Sequence, residues 1–140
     1  MSVMILKKEI MKKTLYILLA LVFTTSVNAH EMVPTYPKFK PSFMDGLYAT
    51  TMTMFNKRSD VEYYEVGVFD GDWQPIPFVS KYKVYKIPYL TSATIEIYIQ
   101  RGDVKRVVYI CSKSKLRKEN LKRTAIKSRI CSKVKERRLY

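Results

Sequence analysis

The sequence predicts an all-β sandwich of immunoglobulin type, built from seven short strands. Three observations carry that expectation. Alternating apolar and polar stretches recur at a spacing of about ten residues, with turn residues between them. β-branched and aromatic residues fill those stretches, and aromatic residues make up 13% of the 140-residue chain, in keeping with core and cross-strand packing more than with a base-stacking platform. Beyond residue 30 no segment sustains the apolar period of a helix.

Residues 46–55 alternate through Tyr48, Thr50, Met52 and Met54, and the polar run 56–60 breaks them as a turn. Residues 61–69 form the second strand and end at Asp70-Gly71-Asp72, the strongest hairpin cue in the chain. Residues 73–78 continue as a third strand, and Pro75 and Pro77 place it at a sheet edge. Residues 81–87 alternate Lys81 and Lys83 with Tyr82 and Val84 until Pro88 closes them. In 94–99, Ile95, Ile97 and Ile99 share one face while Glu96 and Tyr98 share the other. Arg101-Gly102-Asp103 turns the chain into 107–111, and 126–134 is the last strand.

The opening residues read as an address rather than as part of the fold. Lys12 and Lys13 make a positive start at Met11, residues 15–23 are apolar, and Val27-Asn28-Ala29 offers a peptidase site. The apolar run is well short of the roughly 20 residues of a membrane-spanning helix. The expected organisation is a start-site extension and signal peptide over 1–29, cleaved after Ala29, a sandwich over 30–135, and a basic tail over 136–140. The expected location is periplasmic or secreted.

Charge separates the chain into two parts. Residues 30–104 hold 8 bases and 9 acids, whereas 105–140 hold 14 bases and 2 acids. The first part is a balanced domain body and the second a polycation. Its densest run, Lys113, Lys115, Arg117, Lys118, Lys122 and Arg123, reads as a basic loop. Such a loop suits an acidic protein, a membrane surface or nucleic acid; an exported chain meets envelope components, which makes nucleic acid the least expected of the three. The alternative is a solvated loop that aids solubility.

The cysteines follow from side-chain parity. Ile126, Ser128, Ile130, Ser132 and Val134 share the inward face of the last strand, which turns Cys131 outward. Val108 and Ile110 point inward on the preceding strand and turn Cys111 outward. Both thiols therefore sit on the outer face of adjacent antiparallel strands, where a cross-strand disulfide is feasible. The alternative is two unpaired thiols.

Several segments resemble the periplasmic chaperones of the chaperone–usher pilus pathway, the PapD type. Residues 52–56 followed by 61–70 look like that family's strands B and C, where a strand ending in Asn turns into one with a Tyr near its start. Residues 88–97 look like its approach to strand E, Val108-Tyr109-Ile110 like strand F, and Ser128-Arg129-Ile130 like strand G. The resemblance covers about residues 36–135, the family's N-terminal domain. It implies an immunoglobulin-like domain that binds protein subunits of an envelope or surface assembly by strand addition. It also implies a disulfide between strands F and G beneath a long loop, as in one branch of the family. By position Arg129 matches the strand-G base that holds a subunit's C-terminal carboxylate, and Lys40, offset by one residue, is nearest to its strand-A partner. The loop 112–123 offers only Leu116 and Leu121 as apolar donors, so a single-domain relative adapted to another assembly is expected.

Enzyme signatures are missing from the pattern. One His and four Gly give no zinc set, no Ser-His-Asp set and no phosphate-cradling loop. An amino-terminal His30 lacks the second His that copper would need, and no cofactor pattern is present. The expected role is a chaperone-like or assembly factor; the alternatives are a structural component of a surface or virion-type assembly, or a cationic binder of the envelope surface or of nucleic acid through 105–140.

Overall fold

The computed structural model describes residues 1–22 and 29–135. A helix, α1 (Ser2–Val22), spans the expected extension and the start of the leader, and residues 1–20 are exposed throughout. No described helix is long and apolar enough to cross a membrane. Val27 and Asn28 of the expected cleavage site, and the basic tail 136–140, lie outside the described residues.

The body is an immunoglobulin-like pair of sheets. In the first, β3 (Leu47–Phe55) pairs along its length with β6 (Ser92–Gln100). The opposite edge of β3 carries β1 (Glu31–Val33) near one end and β2 (Lys40–Pro41) near the other. The second sheet runs β5 (Val84–Lys86), β4 (Tyr63–Phe69), β7 (Tyr109–Ser114), β8 (Arg129–Lys133), all antiparallel.

Alternation produces the core. Met52 and Met54 of β3 and Ile95, Ile97 and Ile99 of β6 turn inward against Tyr64, Val66 and Val68 of β4 and Ile110 of β7. Each such burial contributes about 2 kcal/mol relative to an exposed side chain.

Three expectations need correction. The described strands number eight, because the N-terminal segment supplies two short ones separated by Pro34 and Pro37. That proline spacing hid them from any periodicity. Residues 73–78 form no strand. Pro75 and Pro77 have no N–H to give a ladder, and only single bridges, Phe69 to Pro75 and Val79 to Tyr98, remain there. The hairpin at 70–74 does form: Asp70 Oδ1 accepts the N–H of Asp72 and of Gln74, and Trp73, not Gly71, takes the positive φ of 61°. Finally, β7 runs on to Ser114, so Lys113 is a strand residue facing Glu65 and not part of the basic loop.

Asn56 joins the sheets where β3 ends. Its Nδ2 donates to the carbonyls of Val61 at 2.7 Å and Ile87 at 2.8 Å. Its Oδ1 accepts the Tyr64 hydroxyl at 2.6 Å and the Arg58 N–H at 2.8 Å. The side chain is fully buried, so nothing else can satisfy those four groups. Replacing Asn56 with Ala is expected to lower unfolding stability by about 3 kcal/mol, read from the urea midpoint. An unchanged midpoint would show that water takes over the role.

Candidate functional site

The site is built on the pairing of β7 with β8. Val134 N–H donates to Val108 O and Ser114 N–H to Ser128 O, so Ser128, Ile130, Ser132 and Val134 turn their backbone groups toward β7. Arg129, Cys131, Lys133 and Lys135 turn theirs to the outer edge of the sheet. There Lys133 N–H reaches Thr35 O at 3.1 Å and Lys135 N–H reaches Pro37 O at 2.9 Å. The N-terminal segment thus crosses from the first sheet to cover the far half of the β8 edge. The near half, at Arg129 and Cys131, has no such cover among the described residues.

Cys111 stands opposite Cys131 in the close, non-hydrogen-bonded type of pair, with Cα atoms 4.1 Å apart, and the two are joined as a disulfide. The parity argument therefore gives the right faces. It misjudges the exposure, because Cys111 is 2% accessible. The Phe69 ring folds back over Gly67, where an added Cβ would come within 2.8 Å of it, and so lies next to the cystine. Arg129 completes the cover, its guanidinium 4.9 Å from the ring centres of both Phe69 and Trp73 and its Nη2 3.8 Å from Cys111 Sγ. Trp73 in turn stacks on Tyr109, with centroids 4.2 Å apart and planes within 2°.

Arg129 and Lys40 are not brought together. Arg129 lines a depression of about 290 Å³ on the outer face of the β7–β8 sheet, with Glu65, Trp73 and Lys113. Lys40 lies on β2 in the other sheet, beside a separate depression of about 440 Å³. The basic loop is divided as well. Lys113 faces Glu65 at 3.9 Å and Arg117 lies 4.6 Å over the Tyr63 ring, while Lys115, Lys118, Lys122 and Arg123 stay exposed.

Beneath this face lies a buried polar network that the sequence reading missed. Arg58, 5% accessible, grips Asp60 through Nε at 2.9 Å and Nη2 at 2.8 Å. It also donates to Ser128 Oγ at 3.2 Å and to the Ile126 carbonyl at 3.0 Å. Asn120 Nδ2 donates to the Asp60 carbonyl at 3.0 Å, so both arms of the 115–128 loop are tied to the 58–60 turn. The His30 ring bridges Ser112 Oγ at 2.7 Å and Ser128 Oγ at 3.1 Å and packs on Tyr64, with centroids 4.5 Å apart. Both ring nitrogens are thus engaged with serine hydroxyls. The signal available in sequence was Ser112, Ser114, Ser128 and Ser132 on inward positions, the first two and the last buried and Ser128 half-buried: such hydroxyls demand partners, though not which ones.

The network shifts its own protonation. Hydrogen bonding from Arg58 holds the Asp60 carboxyl below its ordinary range, and the same contact holds the guanidinium charged. Burial, with the nearby Arg58 charge adding to it, lowers the His30 pKa to about 4 against the opposing Ser112 bond. Burial raises the Tyr64 hydroxyl to about 12.

No family model matches the sequence, and no curated protein matches it. Among solved structures, the E. coli chaperone DraB is similar with a TM-score of 0.59 at 17% identity, over 78% of this chain and 54% of DraB. That likeness shows a shared fold. The chain spans about half the length of DraB.

Two outcomes follow from this geometry. Replacing both Cys111 and Cys131 with Ser is expected to lower unfolding stability by about 3 kcal/mol, because the bond closes the loop between strands. Equal urea midpoints for the oxidised and serine forms would exclude that contribution. The second concerns pH. The unfolded chain takes up the His30 proton near 6.5 and the folded chain only near 4, so stability is full above 6.5 and declines as pH falls toward 4. The expected loss is about 3 kcal/mol across that window, and His30→Gln is expected to flatten it. A pH profile identical in the two proteins would rule out His30 as its source.

Proposed function

We propose that the chain is an exported, chaperone-like assembly factor that binds protein subunits of an envelope or surface assembly by β-strand addition, and that it has no catalytic role. The carrying observation is the half-covered edge of β8. An incoming strand can pair with the outward N–H and C=O groups of Arg129 and Cys131, and must stop where Thr35 and Pro37 already hold Lys133 and Lys135. The disulfide and the Arg58 contacts fix that edge in place before a partner arrives, which lowers the ordering cost of binding. The fold shared with a chaperone supports the reading, and so does the disulfide, which is at home in an oxidising compartment. Export through the leader completes the proposal. Arg129, rather than Lys40, lies beside this edge, which supports assigning a subunit carboxylate to it.

One observation favours a second contact. Lys115, Lys118, Lys122 and Arg123 project from the loop next to the edge and are paired with no acid among the described residues. They would draw an acidic partner toward β8 in a salt-dependent way.

The test separates backbone pairing from charge. Arg129→Pro removes an outward N–H together with the guanidinium while leaving the bonds to β7 intact, as proline at an edge position allows. Arg129→Gln, which removes the charge and keeps the N–H, is the reference against which it is read. With the subunit recovered from an envelope extract, Arg129→Pro is expected to weaken binding by about tenfold or more. Quadrupling the salt is expected to slow association. In the complex the amides of Arg129 and Cys131 should gain protection from hydrogen exchange. Binding by Arg129→Pro at the level of Arg129→Gln, or no protection at those amides, would exclude strand addition at β8.

A further inference from the structure

At the end of the sandwich where β8 finishes, the two sheets part around a cavity of about 550 Å³. Val104, Val107, Val108 and Val134 supply apolar wall, with Val107 almost fully buried, and Arg101, Lys105, Lys133 and Lys135 stand at its mouth. Among the described residues no acid lines it. Asp103, the acid next to Val104, is already engaged with Arg106 at 3.4 Å. None of the four mouth bases belongs to an ion pair among the described residues.

The cavity is preformed. Arg101 N–H donates to the Gly46 carbonyl, a short 3-10 turn holds Val104–Arg106, and Val134 and Lys135 are bonded through their N–H groups to Val108 and Pro37. Its size falls in the range of small-molecule pockets.

We propose that this cavity binds a single-chain anionic amphiphile of the fatty-acid class, an unbranched hydrocarbon tail ending in one carboxylate. The valine wall removes the tail from water, gaining about 0.8 kcal/mol for each CH₂ buried. The four bases sit where the carboxylate would emerge, next to low-dielectric walls that strengthen the attraction. A neutral chain leaves those charges unanswered, and a small anion leaves the wall wet. Only a ligand with both parts uses the whole site. The proposal is independent of strand addition, because it rests on the cavity mouth and not on the open half of the β8 edge.

Calorimetry on the full exported chain tests it, with dodecanoate, dodecan-1-ol and acetate as probes below their aggregation limits. Dodecanoate is expected to bind about tenfold or more tightly than the alcohol, and acetate to give no heat. Arg101→Gln with Lys133→Gln is expected to weaken dodecanoate by about tenfold, and Lys118→Gln with Lys122→Gln in the loop to leave it unchanged. Val134→Asp, checked for an unchanged melting temperature, should also abolish binding. The proposal is overturned if the acid and the alcohol bind alike, or if the loop variant loses as much as the mouth variant. It is equally overturned if only anionic vesicles bind while monomeric dodecanoate does not, which would make this end a membrane-docking surface. Displacement of dodecanoate only by peptides with an apolar C-terminus, and not by other fatty acids, would assign the cavity to protein instead.

Discussion

A guanidinium buried inside a small sandwich must be neutralised and fully hydrogen-bonded, or the fold loses several kcal/mol. Arg58 meets that demand with Asp60 on one side and with Ser128 and the Ile126 carbonyl on the other. The partners it recruits lie at the point where the chain enters β8. The position of that strand therefore depends on the charge of Arg58 being answered. His30 adds to the same cluster from the opposite end of the chain and holds Ser112 and Ser128 across the β7–β8 seam. Burial disfavours its charged form, and the nearby Arg58 charge adds to that, so its pKa is lowered to about 4 and the ring is neutral at physiological pH.

From this anchoring follows the character of the β8 edge. A strand that lacks a neighbour exposes its backbone groups, and proteins blunt such edges to avoid indiscriminate pairing. Here the N-terminal segment blunts half of it by leaving β3 after Val33 and accepting the N–H groups of Lys133 and Lys135. The other half keeps its groups outward between a covered cystine and a long loop tied down at Asn120, Ile126 and Ser128. An edge that is rigid, short and bounded on one side limits both the length and the register of any strand that joins it.

Much of this was legible in the sequence, for a definable reason. Period-two alternation located β3, β4, β6 and β7, and placed Cys111 and Cys131 on one face, because parity is a local property of strands. The resemblance drew attention to a strand ending in Asn56 and a following strand with a Tyr near its start, but not to the hydrogen bond between Asn56 and Tyr64. What stayed hidden depends on contacts between distant segments. No local pattern says that His30 will reach Ser112 and Ser128, or that Arg58 will bury itself beside the start of β8. The pairing of β1 and β2 with β3 was invisible because strands of three and two residues carry no period. The burial of Cys111 was missed because its cover comes from Phe69 and Arg129, and parity fixes direction without fixing what lies above.

The same distinction bears on the basic third of the chain. Read as a string, residues 105–140 are one polycation, and a single electrostatic surface would follow. The fold distributes those bases among separate tasks. Arg129 lies on two aromatic rings, where its charge is stabilised by the ring faces, and Lys113 and Arg117 are occupied by Glu65 and Tyr63. Lys105 and Lys133 stand at the mouth of an apolar cavity, where a short-range attraction acts with little competition from water. The exposed bases of the 115–128 loop act through the solvent, over about 8 Å at physiological salt. Any selectivity of these cations for the proposed partners would therefore reside in where they are held, and their number would set only how fast partners of opposite charge arrive.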